Sequence, residues 1–211
     1  VPGITSSVDK LLLKSLIAAN SDLGAADTTN SYLTSLQQLY GSSTSATSTS
    51  TGTSLANTLA SLESALSSLA STPTSSALQS NVVDALDSVT SQLRETSSGI
   101  QKLRSNADQD IASAVGSVND DVQKIADLNA AIKQAAAAGQ STADLEDKRN
   151  TALQDLSSQM NVSYYTASNG DLQVYTATGQ ALVDSTAGTV EIAGMGAGLG
   201  FCAFHMKTSA T

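Results

Sequence analysis

The chain has 211 residues, enough for one large domain or two small ones; 40 % of them are hydrophobic, but only 3 % are aromatic and none is Trp. Its formal net charge of -9 argues against a nucleic-acid partner, which needs a basic surface, and against adsorption to an anionic membrane. The single cysteine, Cys202, excludes a disulfide framework within one chain. The sequence contains no run of about 18 apolar residues, so no membrane span is predicted.

A first helix is predicted from Thr5 to Gly41, with Thr5 or Ser6 as its N-cap. A hydroxyl side chain at that position accepts a hydrogen bond from a free amide of the first turn, and glycine is a common helix stop. The apolar stripe of this helix is predicted to consist of Val8, Leu12, Leu16, Ala19, Leu23, Ala26, Leu33, Leu36 and Tyr40.

A short second helix is predicted after a low-complexity segment. Residues 42–54 read SSTSATSTSTGTS, which is typical of a flexible loop; a modified or ligand-binding segment is the alternative, without further support in the stretch. Leucines then recur by four and three residues at Leu55, Leu59, Leu62, Leu66 and Leu69. We expect this helix to end before Pro73, because a residue that precedes proline avoids the helical region.

The longest predicted element is a helix over residues 76–138, which contain no proline. Its predicted N-cap is Ser75 or Ser76. Its seam alternates steps of three and four, as in a helix packed against partner helices, except for one stutter of consecutive steps of four between Leu103 and Val115. The seam residues are Val82, Leu86, Val89, Leu93, Thr96, Ile100, Leu103, Ala107, Ile111, Val115, Val118, Val122, Ile125, Asn129, Ile132 and Ala136. Asp121, Lys124 and Lys133 are expected to face water. Such a helix is about 90 Å long, which suits a rod better than an enclosed active site.

Asn129 is the polar member of that seam. A single buried Asn penalises misaligned packing, so its predicted role is to set the register of the helices.

A further helix is predicted after Gly139, where Ser141 and Asp144 have the spacing of a capping box. The residues expected to point inward are Leu145, Ala152, Leu156 and Met160. Those expected on the outer face are Asp144, Glu146, Asp147, Lys148, Arg149 and Asp155. We also expect Arg149 to contact a neighbouring helix.

At Asn161 the period changes from helical to alternating, which predicts a small antiparallel sheet. The turn is Asn169-Gly170, a strong hairpin signal because both residues tolerate positive φ. The alternating residues are Val162, Tyr164 and Thr166 before the turn and Leu172, Val174 and Thr176 after it. Residues 180–183 and 189–192 are predicted as further short strands.

The predicted fold class is therefore mainly α: an elongated helical bundle with one very long helix and a small antiparallel β extension. Residues 1–160 form the predicted helical rod domain, and residues 161–200 the start of a β domain that is incomplete. Residues 201–211 fit neither pattern and are interpreted as an artificial tail.

No residue pattern indicates a catalytic, cofactor-binding or metal site, so no enzyme activity and no cofactor are expected. His205 and Cys202 cannot supply the four ligands of a structural zinc site, and no third group supports them as a nucleophile pair. Residues 194–200 are rich in glycine but precede no helix, which favours a linker over a phosphate-binding loop.

The acidic residues Asp144, Glu146 and Asp147 are the remaining candidates for chemistry. They lie within one helical turn, whereas paired catalytic carboxylates face one another across a cleft. A solvated helix start, favoured by the helix dipole, is the preferred interpretation.

Residues 118–185 resemble a known family in several motifs. These are Ile125-Ala126-Asp127-Leu128-Asn129-Ala130-Ala131-Ile132, Asp144-Leu145-Glu146-Asp147-Lys148-Arg149-Asn150, Leu153-Gln154-Asp155-Leu156-Ser157, Gly170-Asp171-Leu172-Gln173-Val174 and Thr178-Gly179-Gln180-Ala181-Leu182-Val183. They resemble the bacterial flagellar hook-associated protein 1, or FlgK, family, which has IA-LN-I, DL-D-RD, LS, a G-V-V hairpin and G-LV in that order. The resemblance covers roughly residues 4–190, and the first two motifs are specific in combination. Asn150 departs from the pattern, since an acid usually follows the Arg.

The resemblance implies a structural protein of the bacterial flagellum, outside the cell, at the junction between hook and filament. The implied partners are the flagellar hook protein and the adjacent junction protein, with self-association in the axial assembly when the protein is full length; no nucleic-acid or membrane partner is implied. Both terminal regions of the family are missing, and the start at Val1-Pro2 agrees with a fragment, which we expect to be monomeric. Flagellin or a hook-associated protein 3-like protein is one alternative. A secreted adhesin or ligand-binding surface module is an alternative of another class.

Overall fold

A computed structural model describes residues 10–41, 54–184, 187–192 and 204–207. Its helices are α1 (Lys10–Tyr40), α2 (Leu55–Ser71), α3 (Ser76–Ala137) and α4 (Ala143–Gln159). Its strands are β1 (Val162–Thr166), β2 (Leu172–Thr176), β3 (Ala181–Val183), β4 (Thr189–Ile192) and β5 (Phe204–Lys207). The prediction of a mainly helical chain with one very long helix and a small antiparallel sheet is confirmed.

The helix ends follow the local signals in the sequence. At Gly41 the backbone has a φ of 71°, and its N–H donates to the carbonyl of Gln38, 3.2 Å away. The hydroxyl of Ser54 accepts from the N–H of Asn57 at the start of α2, and the hydroxyl of Ser75 accepts from the N–H of Leu78 at the start of α3. The predicted caps Thr5 and Ser6 lie outside the described residues.

The contacts divide the chain into two compact units, Val1–Thr28 with Gln109–Thr211 and Thr29–Asp108. The first unit holds the main hydrophobic core, in which α1, α3, α4 and the three-stranded sheet pack together. Its buried residues are Leu13, Ile17, Val115, Val118, Val122, Ile125, Ala152, Leu153, Leu156, Val162, Leu172, Val174, Leu182 and Val183. The seam predicted for this part of α3 is confirmed from Val115 to Ile132.

The predicted apolar stripe of α1 is on the wrong face. Leu13 and Ile17 are buried, whereas Leu12 is 68 % and Leu23 is 59 % exposed. The physical reason is Gly24, which lies seven residues after Ile17 on the buried face and lets α1 approach α4. A Cβ atom at Gly24 would collide with the carbonyl oxygen of Ser158. The more apolar stripe stays exposed because the backbones of α1 and α4 approach each other most closely on the other side of α1.

Two further assignments on the helical faces are wrong. Asp121 is half-buried near Asp155 of α4 and does not face water fully. Near the end of α3 the buried residue is Ala135, while the predicted Ala136 is exposed.

In the second unit the seam is only partly buried. Val82, Val89 and Thr96 of α3 are buried, whereas Leu86 and Leu93, predicted on the same seam, are exposed. Gly99 lies directly under the side chain of Leu39, so α1 and α3 meet at this glycine. No residue within Leu55–Ser71 is buried, and the leucines of α2 are half-buried or exposed.

The start of α4 differs from the predicted capping box. Thr142, not Ser141, is the N-cap residue, and its side chain makes no capping hydrogen bond to the backbone. Its hydroxyl instead donates to a carboxylate oxygen of Glu146, 2.7 Å away. The box fails because the helix begins one residue later than the spacing requires.

The sheet has the order β1-β2-β3 and is antiparallel throughout. Val162 pairs with Thr176 and Thr166 with Leu172, around a turn in which Gly170 has a φ of 86°. A separate antiparallel pair joins β4 to β5. The segment predicted to fit no regular pattern, residues 201–211, therefore contains a strand at Phe204–Lys207.

Among the described helices, none combines the length and apolar character that crossing a membrane requires.

The close approach at Gly24 predicts opposite effects for two helical glycines. Gly24→Ala should lower the free energy of unfolding by about 1–3 kcal/mol, because the new methyl group meets backbone. Gly116→Ala should raise it by about 0.5–1 kcal/mol, because alanine favours the helix and a Cβ there meets no atom of the described residues within 4 Å. Urea denaturation of both variants measures this, and equal shifts would contradict the packing of α1 on α4.

The core position of Ile125 predicts a large penalty for a charge. Its side chain is fully buried, so Ile125→Asp should lower the free energy of unfolding by at least about 3 kcal/mol. The matched control is Ala130→Asp on the exposed face of α3, which should cost no more than about 1 kcal/mol through helix propensity. Thermal melts decide the matter; a parent-like melt of Ile125→Asp would overturn the assignment of this face.

Candidate functional site: the helix–hairpin junction

Asn129 is the centre of a buried polar site, the helix–hairpin junction, where α3 meets the start of β2. Only 5 % of its surface is exposed. Its amide nitrogen donates to the carbonyl oxygen of Leu172 at 2.9 Å, and its amide oxygen accepts from the N–H of Leu172 at 3.0 Å. One side chain thus satisfies both backbone groups of a strand residue, as a neighbouring strand would.

Arg149 connects the same site to α4. Its guanidinium donates to the amide oxygen of Asn129 at 2.8 Å and to the carbonyl oxygen of Gly170 at 3.1 Å. The sequence predicts Arg149 on the outer face of α4, but this prediction is wrong, because only 8 % of its surface is exposed. The predicted contact to a neighbouring helix is confirmed, and the neighbour is Asn129 of α3.

The tight turn of the hairpin contributes the acidic part of the site. Asp171 is 4 % exposed, and one of its oxygens accepts from the ammonium of Lys133 at 3.1 Å and from the amide of Asn169 at 2.7 Å. The side-chain oxygen of Asn169 in turn accepts from the N–H of Asp171. This Asx-type turn places a carboxylate at the edge of the helix–hairpin junction. Lys133 therefore reaches the sheet from a position predicted to face water.

Two buried atoms of the junction make no hydrogen bond within the described part of the chain, the Nε of Arg149 and the second carboxylate oxygen of Asp171. Burial lowers the pKa of the Arg149 guanidinium below its ordinary value, and the nearby carboxylates of Glu146 and Asp171 oppose that shift. The charges are therefore only partly compensated by direct bonds. An arrangement of this kind fixes geometry more than it adds stability, because desolvation offsets the attraction.

A cavity of about 120 Å³ lies beside the junction. It is lined by Lys10, Leu13, Glu146, Arg149, Asn150, Tyr164, Thr166 and Leu172. Burial raises the pKa of the Tyr164 phenol above its ordinary value, so this phenol stays protonated at neutral pH. Among the described residues that line the cavity, none is a nucleophile with an adjacent base, and the lining side chains pack around Arg149.

The acidic residues singled out from the sequence do not face one another across a cleft. Asp144 pairs with Lys148 at 2.7 Å on the exposed surface, and Glu146 accepts from Thr142. Both acids lie in the first turn of α4, where the helix dipole favours them. The arrangement is that of a helix start.

The remaining sequence candidates fall mostly outside the described residues. Cys202 and residues 42–53 and 194–200 lie there, and of His205 only the backbone, paired with Glu191, is described. Within the described part, no group of three or more His, Cys, Asp or Glu is arranged to hold a metal ion.

The sequence pointed to Asn129 and to Arg149 separately, but not to their contact or to Asp171. The available signal was the polar residue on an otherwise apolar seam, which requires a buried partner. Asp171 follows Asn169-Gly170 directly, so its burial depends on how the turn lies against α3.

The fold and the junction define a class of protein: a mainly helical structural domain in which a long helix holds a small antiparallel sheet through buried polar contacts. The chain belongs to the family of the flagellar hook-associated protein FlgK helical domain, whose family model matches residues 42–196. Asn129 belongs to the first family-like motif and Arg149 to the second, and the structure brings these two residues together.

A solved structure agrees with this fold. It is the flagellar hook junction protein FlgK from Burkholderia pseudomallei, which superimposes with a TM-score of 0.69 at 24 % sequence identity. The match covers 85 % of this chain but only 30 % of that protein, so the chain spans less than a third of its length. A comparison with curated protein sequences found no significant match.

The bonds of Asn129 predict a large effect of its removal. Asn129→Ala would leave both backbone groups of Leu172 and one donor of Arg149 unpaired inside the protein. We expect the free energy of unfolding to fall by about 2–4 kcal/mol, the range for unsatisfied buried groups. Chemical denaturation measures this, and loss of amide protection at Leu172 in hydrogen exchange locates it.

Lys148→Ala is the control for that experiment, because Lys148 lies next to Arg149 but makes only an exposed ion pair. Its effect should stay under about 0.5 kcal/mol. Equal effects of the two variants would contradict the central place of Asn129.

Asp121 predicts a pH-dependent effect. Burial first, and then the carboxylate of Asp155, raise the pKa of Asp121 above its ordinary value, while Lys124 opposes the shift. The folded state therefore binds the proton more tightly than the unfolded state, and this residue destabilises the fold once pH exceeds its folded pKa. Asp121→Asn should raise the melting temperature at pH 7, and the gain should shrink as pH falls towards the ordinary Asp range.

The control is Asp84→Asn, an exposed acid of the same helix, which should change the melting temperature little at either pH. A gain for Asp121→Asn that grows on acidification would show that the sign of the shift is wrong.

Proposed function

We propose that this chain is the helical part of a structural protein at the junction between the flagellar hook and the filament. The observation that carries the proposal is the family match over residues 42–196, which includes the Asn129–Arg149 contact of the helix–hairpin junction. The long helix α3 supports it as well, because α3 contributes core residues to the first unit and buried seam residues to the second.

The proposed role is mechanical, without catalysis. A junction protein transmits torque between two tubes of different subunits, so its parts must keep a fixed orientation under load. The two hydrogen bonds between the Asn129 side chain and the Leu172 backbone suit this role, because they restrict how the hairpin lies on the helices. The two hydrogen bonds that one guanidinium nitrogen of Arg149 donates have the same effect. The proposed location is the flagellum outside the cell.

The proposed partners are the flagellar hook protein, the adjacent junction protein and further copies in the axial assembly of the full-length protein. The net charge of -9 agrees with the absence of a nucleic-acid or anionic-membrane partner from this proposal. Alone, the 211-residue chain should be monomeric in reducing buffer. Sedimentation velocity checks this, and filaments formed under reducing conditions would contradict it.

The decisive experiment is deletion of the gene in the source bacterium, followed by electron microscopy of its flagella. The proposal expects cells that assemble hooks without attached filaments and that regain filaments when the full-length gene is restored. Normal filaments on the deleted strain would overturn it. Loss of the hook as well would place the protein at an earlier position in the axis.

A second arm tests the junction itself. The full-length gene carrying Asn129→Ala should restore fewer attached filaments than the gene carrying Lys148→Ala. Equal restoration, with equal amounts of protein secreted, would show that the helix–hairpin junction is dispensable for the proposed role.

A further inference from the structure

Two tyrosines meet on the solvent side of the hairpin. Tyr165 lies opposite Gln173 and Tyr175 opposite Ser163, so the two tyrosines are diagonal neighbours on one face of the sheet. The other face holds Val174, which is fully buried. Diagonal positions on adjacent strands are within reach of aromatic side chains.

The two rings are stacked, and their hydroxyl groups are in contact. The ring centroids are 5.5 Å apart with an angle of 10° between the planes, and the two phenol oxygens are 3.0 Å apart. Tyr165 is 51 % exposed, so an external reagent reaches the pair. Because the rings are nearly parallel and joined at their hydroxyl ends, the ring carbons next to the two hydroxyl groups lie side by side.

The hydrogen bonds form a short chain. The hydroxyl of Tyr175 lies 3.3 Å from the side-chain oxygen of Gln173 and 3.0 Å from the hydroxyl of Tyr165, and its proton is donated to one of these two oxygens. The bond to Tyr165 is the first reason why the pKa of the Tyr175 phenol lies above its ordinary value. The phenol of Tyr175 is therefore neutral at neutral pH, and it must release a proton when it is oxidised.

We propose that Tyr165 and Tyr175 are an oxidative modification site at which a one-electron oxidant joins the two rings into a dityrosine bridge between β1 and β2. The oxidant class is hydrogen peroxide activated by a haem peroxidase. Each phenol gives up one electron and its hydroxyl proton, which leaves two neighbouring tyrosyl radicals. The radicals couple through a carbon–carbon bond between the ring positions next to the hydroxyls. Each of these carbons then loses its hydrogen as a proton to its own oxygen through water, which restores both phenols.

Hydrogen peroxide is the acceptor of the electrons and protons that the two tyrosines release. Two electrons and two protons leave the protein, and hydrogen peroxide takes them up to form two molecules of water. The protein loses two hydrogen atoms and gains one covalent bond. That bond would link two strands that are otherwise held by hydrogen bonds, so the hairpin could no longer open at this point.

The remaining tyrosines serve as internal controls. Tyr164 lies on the opposite face of β1, and Tyr32 and Tyr40 lie on α1. Tyr40 is 49 % exposed, close to the value for Tyr165, but it has no stacked partner among the described residues. Exposure alone therefore does not distinguish the proposed site, whereas the ring pair does.

The test treats the purified 211-residue chain with haem peroxidase and hydrogen peroxide at neutral pH and low protein concentration. The expected product is a monomer that has lost two hydrogen atoms, shows dityrosine fluorescence and gives a peptide that joins Tyr165 to Tyr175 after proteolysis. The yield should not depend on protein concentration, because the coupling is intramolecular. This product should not form in concentrated urea, where the hairpin is unfolded.

Tyr165→Phe and Tyr175→Phe should each abolish the fluorescence of the monomer, whereas Tyr40→Phe should leave it unchanged. Circular dichroism of the variants checks that each one is folded, as expected for the loss of a single surface hydroxyl. Cross-linked dimers as the main product, a bridge that involves Tyr32, Tyr40 or Tyr164, or no dityrosine at all would each overturn the proposal. The outcome does not depend on the flagellar function proposed above.

Discussion

The structure of the first unit depends on how one amide side chain completes a β-sheet. Strand β3 pairs with β2 only beside Val174 and Tyr175, so the backbone of Leu172 has no strand partner on that side. The amide group of Asn129 has the same donor and acceptor as a peptide group, and it takes that position from helix α3. A sheet that is too short to be stable alone is thereby extended onto a helix.

Charge around this amide then selects one arrangement of helix and hairpin. Arg149 shares Asn129 with Leu172 and also holds the carbonyl of Gly170, so α4, α3 and the turn are tied to one point. Lys133 and Asp171 add an ion pair at its rim. Two buried polar atoms of the cluster have no hydrogen-bond partner in the described part of the chain, so the cluster is not optimised for stability, which agrees with a role in fixing orientation.

Membership of the FlgK helical-domain family gives this junction a context. The match covers only 30 % of the solved hook junction protein, so most of that protein lies outside a domain of this kind. A buried hydrogen-bonded junction resists rotation better than apolar contacts, which are not directional, and this property suits the mechanical role proposed above.

The sequence by itself determined the secondary structure and much of the seam of α3. Periodicity, a proline break, glycine stops and the Asn169-Gly170 turn act locally, so their effects can be read without knowing the fold. Which face of α1 is buried was decided only by tertiary structure, because both faces carry apolar residues and the close approach at Gly24 selects the less apolar one. The inward position of Arg149 was also a tertiary result. From the sequence alone, a cation next to the exposed Lys148 is expected on the surface. Its burial depends on hydrogen-bond acceptors of Asn129 and Gly170, which lie 20 and 21 positions away along the chain.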